Sequence, residues 1–176
     1  GADVVIYSLT KFINGASDVI AGAICADKAL IHQLMDLHSG RVMLLGPTMD
    51  PRVAFDIIQR LPHLAIRMRE HGRRAMRIAV RLEELGVNVI YPGLSGHPQH
   101  GLITQLLNEG YGYGGIMAFE LEGGKEAAWR FINATRLVSI TANLGDAKTN
   151  AHLTRYDSAH GPFPGTVEVG DGEMIV

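Results

Sequence analysis

The chain is poor in the features that would commit it to several large classes of protein. It holds a single cysteine, Cys25, so no internal disulfide can form and a reducing compartment, the cytoplasm, is the simpler setting. No apolar run approaches the roughly 20 residues that a bilayer-spanning helix requires. No basic-then-apolar targeting pattern stands at the N-terminus. Strong charge of either sign is missing too: the formal net charge is -2, which exerts no overall pull towards nucleic acid or an anionic membrane. There is no internal repeat and no low-complexity tract. Metal-ligand sets are scarce. His97 and His100 are spaced like a ligand pair, but Pro98 stands between them and no second Cys or His pair completes a set, so no metal site is expected.

What is present suits a packed protein. Hydrophobic residues make up 47% and charged residues 19% of 176 residues, enough for one compact domain or pieces of two with a sizeable core. Residues 3–7 and 19–25 are short, β-branched runs of the kind that fill buried strands, and the loop between them carries Ser8, Thr10 and Lys11. Because residues 1–8 already have that buried character, the expectation is that the chain is a fragment of a longer protein. Asp27 can cap a helix running to about residue 39, stopped by Gly40. Asp50-Pro51 starts another, since aspartate accepts from free amides and proline is tolerated at the first helical position. That helix should bend near Pro62 and continue to Gly86, with Leu64, Met68, Ala75, Ile78, Leu82 and Leu85 at helical spacing. Beyond it the pattern reads strand (87–91), strand (116–121), helix (125–134) and strand (137–141). The residues from Arg155 onward are rich in Gly, Pro and Asp and support no assignment. Mixed elements of this kind describe an α/β remnant joined to an α+β domain.

Lys11 carries the chemistry. A lysine after a strand end, beside two hydroxyls, can condense with an aldehyde cofactor while the hydroxyls of Ser8 and Thr10 donate to a phosphate. Alone, Ser-Leu-Thr-Lys is weak, because most lysines are simply exposed in loops. Other signals are weaker still. Gly110 to Gly115 contains G-x-G-x-x-G, but it precedes a strand instead of following one and opening a helix, so a tight turn is expected in place of a dinucleotide site. Six arginines between Arg67 and Arg81 make the long helix basic. A nucleic-acid surface is one use for them, and a solvated face paired with Glu70, Glu83 and Glu84 is the favoured one. Trp129 is expected in a core or an interface.

The surrounding text changes the weight of Lys11. Gly1-Ala2-Asp3-Val4-Val5, Ser8-Leu9-Thr10-Lys11, Asp18-Val19-Ile20-Ala21-Gly22, Gly46-Pro47-Thr48-Met49-Asp50-Pro51, Leu61-Pro62-His63-Leu64, Tyr91-Pro92-Gly93-Leu94, His97-Pro98-Gln99-His100, Tyr113-Gly114-Gly115 and Leu144-Gly145-Asp146 stand in one order. Together, over roughly residues 1–150, they resemble the Cys/Met-metabolism (transsulfuration) family of pyridoxal-phosphate enzymes, with the wording from Leu44 to His100 most like its methionine gamma-lyase branch. The resemblance implies an α/β chain, the C-terminal part of a type I (aspartate-aminotransferase-like) fold. Residues 1–60 would be the tail of the large cofactor domain and residues 61–176 an incomplete, smaller α+β C-terminal domain. It implies pyridoxal 5'-phosphate as cofactor, Lys11 as the Schiff-base lysine and catalytic base, Ser8 and Thr10 as phosphate anchors, and Asn143 beside the substrate carboxylate. Elimination from a small sulfur amino acid is the implied reaction, in a cytoplasmic homo-oligomer (a tetramer of dimers).

Departures from the family pattern keep alternatives open. Asn143 stands where lyases of the family usually carry serine, and is reminiscent of the homocysteine-forming sulfhydrylases. Cystathionine lyase or synthase chemistry is a further alternative. The family's ring-stacking tyrosine, pyridine-pairing aspartate and carboxylate-clamping arginine find no counterpart, and residues 152–172 lack the usual wording. A truncated remnant that only oligomerises is therefore the alternative from another class.

Overall fold

A computed structural model describes residues 2–141, 143–153 and 173–175. The chain forms two compact units, Gly1–Leu64 with Gly145–Ala147, and Ala65–Leu144 with Lys148–Val176.

In the first unit, β1 (Val4–Ser8) pairs antiparallel with β2 (Gly22–Ala26), from Val4 opposite Ala26 to Ser8 opposite Gly22. Their β-branched residues favour the pleated conformation, but the expectation of buried strands is corrected here. Ile6 is 76% exposed, Ile20 just before β2 is 93% exposed, and the lone thiol of Cys25 on β2 is exposed as well. β-branched composition sets the backbone, whereas burial needs a covering layer that the strand's own sequence does not contain. Helix α1 (Lys28–Leu34) begins where expected, with the Leu30 amide donating to Asp27 Oδ1 at 2.8 Å. It ends earlier than the periodicity suggests. The carboxylate of Asp36 draws the amides of His38 and Ser39 and the Ser39 hydroxyl into a local turn at 2.8–3.0 Å, a competitor to further helix. A short helix α2 (Arg41–Leu45) follows, closed by Gly46 at φ +67°. Helix α3 (Pro51–Arg60) has the Asp50 carboxylate accepting from the Arg52 amide at 2.7 Å and proline in its first turn.

The bend at Pro62 is a 3-10 turn, Leu61–His63, between α3 and the long helix α4 (Leu64–Glu84). The second unit is built on α4 and a five-stranded sheet. Its members are β3 (Asn88–Ile90), β4 (Ala118–Glu120), β5 (Ser139–Ile140), β6 (Asn150–Leu153) and β7 (Glu173–Ile175), in the order β3-β4-β7-β6-β5. Only the β5–β6 pair is parallel among these strands. Helices α5 (His100–Leu106) and α6 (Gly124–Ala134) complete it. Of the stretch from Arg155 onward, only the backbone of β7 is among the described residues.

Two buried clusters stabilise this unit. One joins Ala75 and Ala79 of α4 to Tyr91, Leu94 and Met117. The other joins Phe119 of β4 to Ala128 and Ile132 of α6 and Ala151 of β6. Alanines on the inner face of α4 let the helix lie close to the fully buried Tyr91 ring, whose hydroxyl donates to the Gly114 carbonyl at 2.9 Å. The glycine-rich stretch is a turn: Gly110, Gly112 and Gly114 all have positive φ. A side chain at Gly72 of α4 would come within 2.8 Å of the Tyr111 carbonyl, so glycine permits that close backbone approach.

Candidate active site around Lys11

Lys11 lies in the first unit, on a wide helical turn (Leu9–Ile13) that leaves the end of β1. The turn closes through Asn14 N–H donating to the Leu9 carbonyl and Gly15 N–H donating to the Lys11 carbonyl, each at 2.9 Å. Lys11 itself departs from helical geometry, with φ -89° and ψ -125°. Buried Leu9 anchors the entry to the turn and buried Asn14 its exit, while Lys11 is half-buried between them.

Thr10 fastens the turn to the strand beside it. Its hydroxyl accepts from the Ala21 amide at 3.0 Å and donates to the Ala21 carbonyl at 3.3 Å, and its own amide also donates to that carbonyl at 3.2 Å. Ser8 is exposed at the end of β1, opposite Gly22. Lys11 and both hydroxyl residues thus belong to one strand-end turn of one unit. Asn143 belongs to the second unit, where its amide donates to Thr141 Oγ1 at 3.2 Å.

Three neighbouring groups were not assigned to the site from the sequence: Arg60, the Asn14 and Asp18 pair, and the Gly145-Asp146 pair. Arg60, at the end of α3, makes a bidentate ion pair with Asp18, at 2.6 and 2.9 Å, and also donates to the Asn14 side chain. Asn14 in turn donates to Asp18 at 3.1 Å. The Arg60 guanidinium and the Asn14 amide hold the Asp18 carboxyl down at about 2, and the carboxylate in turn raises the pKa of Arg60. Asp18 stood in a matched segment and Arg60 in a helix, but nothing in one sequence links positions 42 apart. The third neighbour is the Gly145-Asp146 pair, which packs on the turn from far along the chain: the Ser17 hydroxyl donates to Asp146 Oδ2 at 2.6 Å.

Residues offering other chemistry have structural partners. The Nδ1 of His100 lies 2.8 Å from the Pro92 carbonyl and its ring stacks on Tyr113. The Gln99 amide donates to His97 Nδ1 at 3.2 Å. On α4, Glu70 accepts from Arg73 and Arg74, Arg81 pairs with Glu84, and Arg69 lies over the Tyr111 ring. The arginine face is therefore in large part a paired, solvated one. Trp129 on α6 is 46% exposed. Among the described residues, no helix is long and apolar enough to cross a membrane.

Comparison with known proteins defines the class first. The chain superposes on cystathionine gamma synthase from Xanthomonas oryzae pv. oryzae, solved in complex with aminoacrylate and cysteine, with a TM-score of 0.79 and 34% identity, over 99% of this chain and 45% of that one. Its mixed α/β architecture is that of a pyridoxal-phosphate-dependent fold-type I enzyme. Within that class the chain belongs to the Cys/Met metabolism PLP-dependent enzyme family, whose model matches residues 1–161. Relatives include a methionine gamma-lyase from Arabidopsis thaliana, 47% identical over 85% of this chain and 34% of that protein. An O-succinylhomoserine sulfhydrylase from Pseudomonas aeruginosa is 41% identical over 85% of this chain and 36% of that protein. The chain spans about a third of the length of these curated relatives.

Proposed function

We propose that this chain supplies the cofactor lysine of a carbon–sulfur lyase that acts on a small sulfur amino acid, with methionine elimination to methanethiol, ammonia and 2-oxobutanoate as the first choice. The observation that carries the proposal is Lys11 itself, half-buried on a strand-end turn beside Ser8 and Thr10, within the stretch that the family model matches. We further take residues 1–60 as the tail of the large domain and residues 61–176 as the smaller C-terminal domain of a cytoplasmic homo-oligomer.

The donor set fits pyridoxal phosphate. A primary amine forms a carbon–nitrogen double bond with an aldehyde, and hydroxyls donate to phosphate oxygens. Ser8 is open to such a ligand. Thr10 can keep accepting from the Ala21 amide with a lone pair while its single hydrogen leaves the long 3.3 Å bond to the Ala21 carbonyl for a phosphate oxygen. When bound, the cofactor supplies the aldehyde and an electron-withdrawing ring that stabilises negative charge at the substrate α-carbon. Lys11 does the rest. Its amine would hold the cofactor, and once free the same amine would serve as the base that takes the proton from the substrate α-carbon and carries it onward. Asn143 is assigned to the substrate carboxylate, where its side-chain amide can donate.

A second reading has a specific observation behind it. Asn143, standing before the matched Leu144-Gly145-Asp146, departs from the lyase wording, and a sulfhydrylase is among the relatives. One experiment addresses both. The purified chain is incubated with pyridoxal phosphate, reduced with borohydride and digested. A pyridoxyl group on the Lys11 peptide, absent after Lys11→Arg, is the expected result. Label spread evenly over Lys28, Lys125 and Lys148 would sink the assignment, and colourless protein that only self-associates would favour the non-catalytic alternative. Thiol release from methionine, against homocysteine formation from an activated homoserine and sulfide, separates lyase from sulfhydrylase.

A further inference from the structure

Four features converge on the Lys11 turn, and one that lies against the lysine's own peptide comes from far along the sequence. Gly145 is buried with φ +87°. A β-carbon built on it would stand 2.5 Å from the Phe12 amide nitrogen, and 2.9 Å from both the Lys11 carbonyl carbon and the Phe12 α-carbon. All of those atoms are backbone, so they can make room only if the turn itself moves. Next to it, Asp146 Oδ2 accepts from the hydroxyl of Ser17 at 2.6 Å. Ser17 is the one non-glycine position with positive φ among the described residues, at 58°. The other three holds are Thr10 on Ala21, Arg60 on Asn14 and Asp18, and the burial of Leu9. These fix the ends of the turn, whereas the Gly145 segment lies against the Lys11–Phe12 peptide, which sets where the Lys11 side chain starts.

We propose that Gly145 and Asp146 are positioning residues for Lys11: the missing side chain at Gly145 seats the segment on the Lys11–Phe12 peptide, and Asp146 locks it there through Ser17. The proposal rests on Lys11 being the cofactor lysine. An amine reacting with a bound aldehyde is sensitive to displacements well below the length of a bond, so pressure on this peptide is read directly in the reaction.

The test uses a matched pair of substitutions. Gly86 also has a positive φ, +80°, but a β-carbon there meets nothing within 4 Å. Gly86→Ala therefore carries the left-handed backbone penalty alone, whereas Gly145→Ala adds the collision. With pyridoxal phosphate and borohydride as the probe, Gly145→Ala should slow labelling of Lys11 by about tenfold or more, and Gly86→Ala by less than about twofold. Amide hydrogen exchange, measured without cofactor, should quicken across residues 9–15 in Gly145→Ala and not in Gly86→Ala. Equal labelling and equal exchange in the two variants would overturn the proposal. If the unsubstituted chain shows no Lys11 adduct at all, the functional assignment has failed, and the exchange measurement still decides the packing claim. Should Gly145→Ala not fold, Asp146→Ala takes its place: it should loosen the same turn and slow labelling, with Asp146→Asn restoring both because it keeps an acceptor for Ser17. Asp146→Ala behaving like the unsubstituted chain would equally refute it.

Discussion

Thr10 carries one hydrogen and two lone pairs, and in this structure both kinds of bond go to Ala21. Thr10→Val removes both while keeping the shape, so it should destabilise the cofactor-free chain by about 1–2 kcal/mol, and Thr10→Ser should restore most of that. Denaturant midpoints measured without cofactor check this. Ser8→Ala should leave the midpoint unchanged, because that hydroxyl is exposed, while weakening retention of pyridoxal phosphate. Tyr91 makes a different kind of prediction. Burial, with a smaller contribution from Tyr113, pushes its phenol up from 10.0 to about 12. The folded state thus holds that proton more tightly than the unfolded chain does. The stabilisation is complete below pH 10 and is lost as pH rises towards 12. Tyr91→Phe should flatten alkaline unfolding in that window, and it should lower stability at neutral pH by about 1 kcal/mol for the lost bond to Gly114.

At the level of elements, packing sets the largest effects. Ile132 of α6 is buried against Phe119, Ala128 and Ala151, so Ile132→Ala should cost about 2–5 kcal/mol in a urea titration. Leu137, 92% exposed, should tolerate the same change within about 0.5 kcal/mol. The helices with strong signals were legible: Asp27, Asp50-Pro51 and Gly86 mark boundaries through capping and positive φ, and those are local effects written in local sequence. Helices α2 and α5 were missed, since they are short and, unlike α1 with Asp27, neither has a side-chain N-cap to announce it. Strand β6 was missed for another reason: at Asn150-Ala151-His152-Leu153 no β-branched run announces it, and it exists through its partners β5 and β7. The same division runs through the candidate site. Ser8, Thr10 and Lys11 lie within four residues of one another and could be read together, whereas Arg60 and Gly145 reach the turn only through tertiary packing.

For the molecule as a whole, the two units should respond to opposite ends of the pH scale. In the first, Asp18 titrates at about 2, down from 3.8, because Arg60 and Asn14 hold its charged form. A depressed acid contributes stability that is complete above pH 3.8 and lost as pH falls towards 2. Glu70 in the second unit is depressed as well, also to about 2, but its partners Arg73 and Arg74 are on the same helix, so its loss loosens a surface and no tertiary link. Amide exchange resolved by segment should show the Lys11 turn opening first in acid, an effect that Arg60→Met removes, and the Tyr91 core opening first in alkali. The exposed sulfur of Cys25, facing Val5 across the β1–β2 ribbon, has a practical consequence. Because the chain has no other thiol, a maleimide fluorophore would attach at one known point, and its emission would register fraying of the ribbon that leads into the Lys11 turn without any engineered label site.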